Sequence, residues 1–187
     1  GTMVDNPEPS RSEVADVSSA VIVGADCLML SDETATGRYP LGAVEAMRRI
    51  ILYTEGNLPL KVSFVGNEAD HSRQAAICNA VIDLATHVEA SAIVAETKSG
   101  ATALHLAARR SLVPLIAVTS DNRTSQQLAI AFGVRSYVRP VDPLAASKLT
   151  GWLYRHKVLD KGDVVVTASG RYPGVVGTTD TVKVRVL

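Results

Sequence analysis

This sequence of 187 residues is short of net charge, of cysteine, of long apolar runs and of the common nucleotide-binding signatures. Lysine plus arginine and aspartate plus glutamate stand at 19 each, so the net charge is zero and no global field would draw in nucleic acid or an acidic membrane. The two cysteines, Cys27 and Cys78, lie far apart in apolar runs. That placement argues against a disulfide framework or metal knot and suits two buried thiols in a reducing compartment. No apolar run nears the roughly 20 residues that span a bilayer, and the amino terminus carries no signal-peptide pattern, so a soluble, cytoplasmic protein without a membrane partner is expected. The histidines His71, His87, His105 and His156 have no carboxylate or cysteine at ligand spacing, so no metal site is expected. Neither a Walker sequence nor a three-glycine dinucleotide fingerprint occurs. The length allows one domain plus a fragment, or two small domains, and is too short for a complete (β/α)8 barrel of roughly 250 residues.

What the chain does contain is two differently patterned halves. Ser10-Arg11-Ser12-Glu13 has capping-box spacing, and Val14, Val17, Ala20 and Val21 follow at helical intervals up to Gly24, a residue suited to a left-handed helix end. The apolar run Ala25 to Leu30 reads as a strand that opens into the polar loop 31–39. Pro40 then starts a helix whose apolar stripe is Val44, Met47, Ile50 and Ile51, with Arg48 and Arg49 facing away. One strand cannot make a sheet, so this half is incomplete as a fold. Residues 57–71, with Pro59 and glycines near both ends, read as a linker.

From Ser72 the pattern alternates. Helices are expected at 72–88, 102–110, 124–132 and 144–159, and strands at 92–96, 115–119, 135–138, 164–168 and 181–186. Strands separated by helical runs indicate βαβ crossovers, hence an α/β fold with a five-stranded, mostly parallel sheet and helices on both faces. Only about a dozen residues without helical period join the last two strands, which favours an antiparallel edge strand. In that strand Thr181, Lys183 and Arg185 would face water, and Val182, Val184 and Val186 would pack.

Two loops carry candidate chemistry. Thr97-Lys98-Ser99-Gly100-Ala101-Thr102 lies between a strand and a helix, where hydroxyls, a lysine and backbone amides can hold a phosphate. The blander reading is that Thr97, Ser99 and Thr102 cap the helix. In a parallel sheet the loop 169–177 emerges at the same edge, so Arg171 could meet a phosphate held there, or else be an ordinary solvated arginine in a Gly-Pro loop. Trp152 and Tyr154 on the last helix read as packing residues, with Trp152 a possible border of the same pocket.

Set in order, these residues resemble the carboxyl-terminal portion of the pyruvate kinases. The first half matches at Asn6-Pro7, Pro9-Ser10-Arg11, Glu13-Val14, Asp16-Val17, Gly24-Ala25-Asp26 and Met29-Leu30-Ser31, then at Glu33-Thr34-Ala35, Gly37, Tyr39-Pro40 and Val44. The second matches at Thr97-Lys98-Ser99-Gly100, Ile116-Ala117-Val118-Thr119, Lys161-Gly162-Asp163, Pro173-Gly174 and Gly177-Thr178-Thr179.

The resemblance implies that residues 1–56 are the last βα unit of a (β/α)8 barrel and that 72–187 form the family's α/β regulatory domain. It implies a glycolytic phosphotransferase passing phosphoryl from phosphoenolpyruvate to ADP to give pyruvate and ATP. Mg2+ (or Mn2+) and K+ would be required, with their ligands upstream of this chain. Ser31 and Glu33 would form one corner of the catalytic mouth, the serine in the proton relay that ketonises enolpyruvate. Thr97, Lys98, Ser99, Gly100, Thr102 and Arg171 would belong to an effector site for a sugar phosphate or AMP. The tryptophan and arginine of many sugar-bisphosphate-activated members are not clearly matched, and Asp32 and Thr36 stand where the family usually has glycine and often lysine. A homotetramer is implied for the whole enzyme and inactivity for this chain alone. The alternative is a free-standing module that binds phosphorylated metabolites or a partner.

Overall fold

The computed structural model describes residues 1–57, 72–172 and 174–187. The expected linker therefore lies, apart from Asn57, outside the described residues, as do His71 and Pro173. The chain divides into two compact units, residues 1–63 and 64–187.

In the first unit, a short turn Thr2–Val4 precedes helix α1, Arg11–Ile22. The capping box forms as expected: the Ser10 hydroxyl accepts from the Glu13 N–H at 3.3 Å, and the Glu13 carboxylate accepts from the Ser10 N–H at 2.8 Å. Gly24 takes the left-handed conformation just after the helix, with φ of 83°.

The strand expected at Ala25 to Leu30 is absent, and among the described residues this unit has no strand at all. A strand needs a neighbour to receive its N–H and C=O groups, and none of the sheet it would join is present in this unit. The segment instead runs without regular structure and leaves Met29 85% exposed. Cys27, expected to be buried, is exposed for the same reason. The polar loop is partly helical, forming the single turn α2, Asp32–Ala35. Helix α3, Pro40–Asn57, starts at the proline as expected but buries a different face. Ala43, Ala46 and Thr54 point inward, Ala43 and Ala46 against Met3 and Leu30, whereas Val44 is exposed. Small residues let α3 approach α1 closely, and the Thr54 hydroxyl donates to the Ser18 hydroxyl at 3.2 Å between them.

The second unit is built on strands β1 (Ala92–Glu96), β2 (Leu115–Thr119), β3 (Val134–Val138), β4 (Val164–Gly170) and β5 (Thr179–Val186), ordered β3-β2-β1-β4-β5. All neighbours are parallel except β4 and β5, which pair antiparallel. The helices are α4 (Arg73–His87), α5 (Ala101–Ala107), α6 (Asn122–Leu128) and α7 (Ala145–Arg155). Helix α6 begins earlier than its apolar period suggests, because the Asp121 carboxylate caps it by accepting from the Thr124 N–H at 2.7 Å.

Alternation along the strands divides the core. Ile93, Ala95, Leu115 and Val166 face α4 and α5, with Ala117 meeting Leu128 of α6 on that same side. Ala92, Val94, Ile116, Val118 and Val165 face Ala146, Leu149 and Leu153 of α7 on the other. Cys78 of α4 lies in the first cluster, where burial pushes its thiol up to about 11. The edge strand β5 departs from expectation on its apolar side: Val182 packs on the core, but Val184 and Val186 are exposed.

The strand order has a functional consequence. From β1 the chain moves outward through α5 to β2 and α6 to β3, both helices on one face; it then returns through α7 on the opposite face to β4, on the other side of β1. The winding reverses between β1 and β4. Loops leaving these two strands at their carboxyl ends diverge, and a crevice opens between them.

Candidate functional site

That crevice has two lobes sharing one wall. The first, about 350 Å³ of empty space, lies between the β1 loop and the β4–β5 loop, with Gln74, Ser99, Thr102, Tyr172, Thr178 and Thr179 around it. The second, about 270 Å³, lies toward β2 and β3, with Thr119, Ser120, Arg139 and Asp142 around it. Glu96, Thr97, Lys98 and Gly174 border both.

The loop 97–102 is held rigidly. The Thr97 N–H donates to the Val118 carbonyl at 2.9 Å, which continues the β1–β2 ladder by one residue. The Thr124 hydroxyl donates to the Lys98 carbonyl at 3.1 Å. Gly100 sits at φ of 86°, so the turn into α5 favours glycine by conformation, although a Cβ there would make only ordinary contact with Leu128 and Thr124 at 3.5 Å.

The candidate residues divide into two groups. Thr97, Lys98, Ser99 and Thr102 do line the crevice. Thr102, however, is buried and spends its hydroxyl on a 2.8 Å hydrogen bond with the Thr179 hydroxyl and on the Gln74 side-chain amide, which donates to it at 3.3 Å. It ties α4, α5 and β5 together beneath the lobe. The Lys98 ammonium donates to the Ser120 hydroxyl at 3.1 Å, which turns it toward the second lobe. Arg171 is exposed and lines neither lobe; its N–H donates to the Asp180 carboxylate at 3.1 Å while the neighbouring Tyr172 faces the cavity. Trp152 packs on His156 and Tyr137 and does not line the crevice; Arg139, which does, lies 5.1 Å from its ring centre.

Three residues near the crevice were not legible as site residues. Glu96 reads in sequence as the end of an apolar strand, yet it sits on the wall common to both lobes, and burial, reinforced by Asp142, pushes its carboxyl above the ordinary range. The available signal was a carboxylate closing an otherwise apolar buried strand. Gln74 and Arg73, on the first turn of α4, reach the lobe only through folding, and the Arg73 guanidinium donates to the Gly177 carbonyl at 3.2 Å.

In the first unit, Ser31 and Glu33 sit at the start of α2. The Ser31 N–H donates to the Glu33 carboxylate at 3.0 Å. Glu33's own N–H and that of Ser31 hold this carboxyl below the usual range. Glu33 is therefore an ionised brace that fixes the turn, while Ser31 stays exposed. Gly37 returns so close beneath the turn that a Cβ would lie 2.5 Å from the Glu33 carbonyl oxygen. Among the described residues no three of His, Cys, Asp and Glu gather to hold a metal ion, so the described part of the chain does not itself fit a divalent cation.

Comparison with known proteins gives the same family for both units. Residues 75–185 match the family model described as pyruvate kinase, alpha/beta domain, and residues 1–44 match that of pyruvate kinase, barrel domain. A pyruvate kinase of Mycobacterium tuberculosis is 36% identical over 189 residues, covering 98% of this chain and 39% of the relative. Pyruvate kinase 2 of Synechocystis is 35% identical and is matched by 100% of this chain over 32% of its own length. A crystal structure of a pyruvate kinase from Cryptosporidium parvum superposes with a TM-score of 0.86 at 26% identity, over 99% of this chain and 38% of that one. The chain thus spans less than half the length of each of these relatives.

Proposed function

Because the chain belongs to the pyruvate kinase family, we propose that it is the carboxyl-terminal part of an enzyme that transfers phosphoryl from phosphoenolpyruvate to ADP, releasing pyruvate and ATP in glycolysis. What supports this most is that the two units carry, in the same order, matches to a barrel domain and an α/β domain. In this reading residues 1–56 close a (β/α)8 barrel, 57–71 link, and 72–187 form the regulatory domain. A free-standing module built from the second unit alone is disfavoured, since it would leave the barrel match at 1–44 without a purpose.

Phosphoryl transfer is mostly positioning and charge neutralisation. Mg2+ or Mn2+ and K+ would neutralise the phosphates in the whole enzyme, held by residues outside the described part of this chain. The chain's own contribution is a corner of the mouth. Glu33 fixes the turn, and Ser31 presents a hydroxyl able to hand a proton toward enolpyruvate as it becomes pyruvate. The crevice of the second unit is the place for a phosphorylated effector, its hydroxyls and Lys98 taking the phosphate. The whole enzyme would work in the cytoplasm, as a homotetramer.

A coupled assay of pyruvate formation tests the reading. The chain alone should show no turnover above background, and supplying the missing barrel portion from a relative should generate turnover that Ser31→Ala lowers. Turnover by the chain alone, or none after complementation with a folded barrel portion, would overturn it.

A further inference from the structure

Strand β3 is an outer strand of the sheet, and its two faces differ in chemistry. Val134 and Ser136 turn toward α6, where the Ser136 hydroxyl donates to the Ser125 carbonyl at 3.0 Å. The alternate residues Arg135, Tyr137 and, just beyond the strand, Arg139 turn the other way, with Tyr137 packed on the α7 side of the core. The backbone alternates as well. The Arg139 N–H donates to the Thr119 carbonyl of β2 at 2.9 Å, so Arg135, Tyr137 and Arg139 direct their peptide groups to β2, and Ser136 and Val138 direct theirs away from the sheet. Of these outward groups, the Val138 carbonyl accepts from the Arg139 guanidinium at 2.9 Å.

Edges are often guarded by charged side chains that swing freely in water. These two arginines are held. Arg135 lies 5.6 Å from the Tyr137 ring centre, and Arg139 lies 5.9 Å from that ring and 5.1 Å from the Trp152 ring. A guanidinium held by a ring keeps in-plane donors for a carboxylate and has less freedom to lose on meeting one. Among the described residues neither arginine has a carboxylate partner. They stand four residues apart, about 13 Å along an extended strand. A second copy pairing through the same edge would set arginine against arginine, which is destabilising.

We propose that the β3 edge is a docking site for an extended acidic segment of a partner protein, which adds to the sheet as a further strand. Its backbone pairs with Ser136 and Val138, displacing the Arg139 guanidinium from the Val138 carbonyl. On the α7 face it carries a carboxylate, an apolar residue two positions on and a second carboxylate two further, opposite Arg135, Tyr137 and Arg139. Arg139 also borders the second lobe of the crevice, whereas Arg135 borders neither lobe and so isolates the edge from the crevice.

Fluorescence anisotropy of labelled peptides, with hydrogen exchange at the Ser136 and Val138 amides, tests this on the chain. The probe is Glu-Thr-Val-Thr-Glu, blocked at both ends, which when extended sets both carboxylates on one face. It should bind, slow exchange at both amides and change the fluorescence of Trp152, the sole tryptophan. Its isomer Glu-Glu-Val-Thr-Thr, with carboxylates on opposite faces, should bind about tenfold or more weakly. Arg135→Glu, at an exposed residue, should weaken the probe by at least as much. That variant should instead take Lys-Thr-Val-Thr-Glu or Glu-Thr-Val-Thr-Lys, and which of the two it takes gives the direction of the added strand. Equal binding of the two isomers, no rescue of Arg135→Glu by either charge-reversed peptide, or unchanged exchange at both amides would overturn the proposal. So would tighter binding of oligothymidylate than of any peptide, which would make the patch a nucleic-acid surface. Binding of no probe would reduce the arginines to guards of the edge, and the proposal falls.

Discussion

The two units of this chain use similar apolar residues to different effect. In the second, five strands lie between helices on both faces, and Ile93, Val94, Val165, Val166, Leu149 and Leu153 are fully buried. In the first, the buried cluster is only Met3, Ala43 and Ala46 with Leu30 against them, and Met29 beside it is left 85% exposed. The hydrophobic effect stabilises only through area removed from water, so an apolar residue contributes according to what the chain brings against it. The second unit carries its own partners. The first has the edge of a larger core.

The sharpest way to break this comparison is to truncate one large apolar residue in each unit. Leu149→Ala removes a side chain with no exposure from between α7 and the sheet and should cost about 2–5 kcal/mol. Met29→Ala, at a residue 85% exposed, should change stability by no more than about 0.5 kcal/mol. Denaturant unfolding followed by hydrogen exchange, which separates the units, checks both. A loss at Met29 comparable with that at Leu149 would mean that the first unit has a core of its own.

The same contrast decides how much can be read from sequence. All five strands and four helices of the second unit lie close to where periodicity puts them, because each buries its apolar face against elements within the same stretch of sequence. The run Ala25 to Leu30 has the composition of a strand and forms none, since composition cannot supply a partner for the backbone. The α3 stripe departs from its pattern by one position: the larger residues suggest Val44, but packing against Met3 and Leu30 buries Ala43 and Ala46. At the site, Thr97, Lys98 and Ser99 are legible from a polar loop after a buried strand. Glu96, Gln74 and Arg73 are not, because their place depends on strand order and on how α4 packs beside the loop.

Glycines at close approaches sharpen the comparison at smaller cost. At Gly170, beside the bulge joining β4 to β5, a Cβ would lie 2.6 Å from the Thr178 carbonyl oxygen. Gly170→Ala should cost about 1–3 kcal/mol. It should also weaken phosphate binding by moving Thr178, measurable by calorimetry. Gly37→Ala meets the Glu33 carbonyl oxygen at 2.5 Å. There an open unit can yield, so the expected result is a displaced Ser31–Glu33 turn, seen as changed chemical shifts, with less loss of stability than at Gly170. In the first unit, removing the cap with Ser10→Ala should cost about 1 kcal/mol.

The smallest effects separate the units by sign. Glu13 accepts from the backbone N–H groups of Thr2 and Ser10, and these hold its carboxyl down at about 2. A carboxyl depressed on folding adds stability that is fully present above its unfolded value, near 4.5, and is lost as pH falls toward 2. Glu96 does the reverse. Burial raises it, so its charged form weighs against the fold; that penalty grows as pH rises from about 4.5 through its folded value and then stays. Glu96→Gln should therefore leave stability nearly unchanged at pH 4 and increase it at pH 8, whereas Glu13→Gln should reduce it at pH 8 and matter least near pH 2. Unfolding of each variant against the unaltered chain across that range reads the difference directly, free of the other carboxylates. An increase for Glu96→Gln that is the same at pH 4 and pH 8 would show that its charge is not what the fold resists.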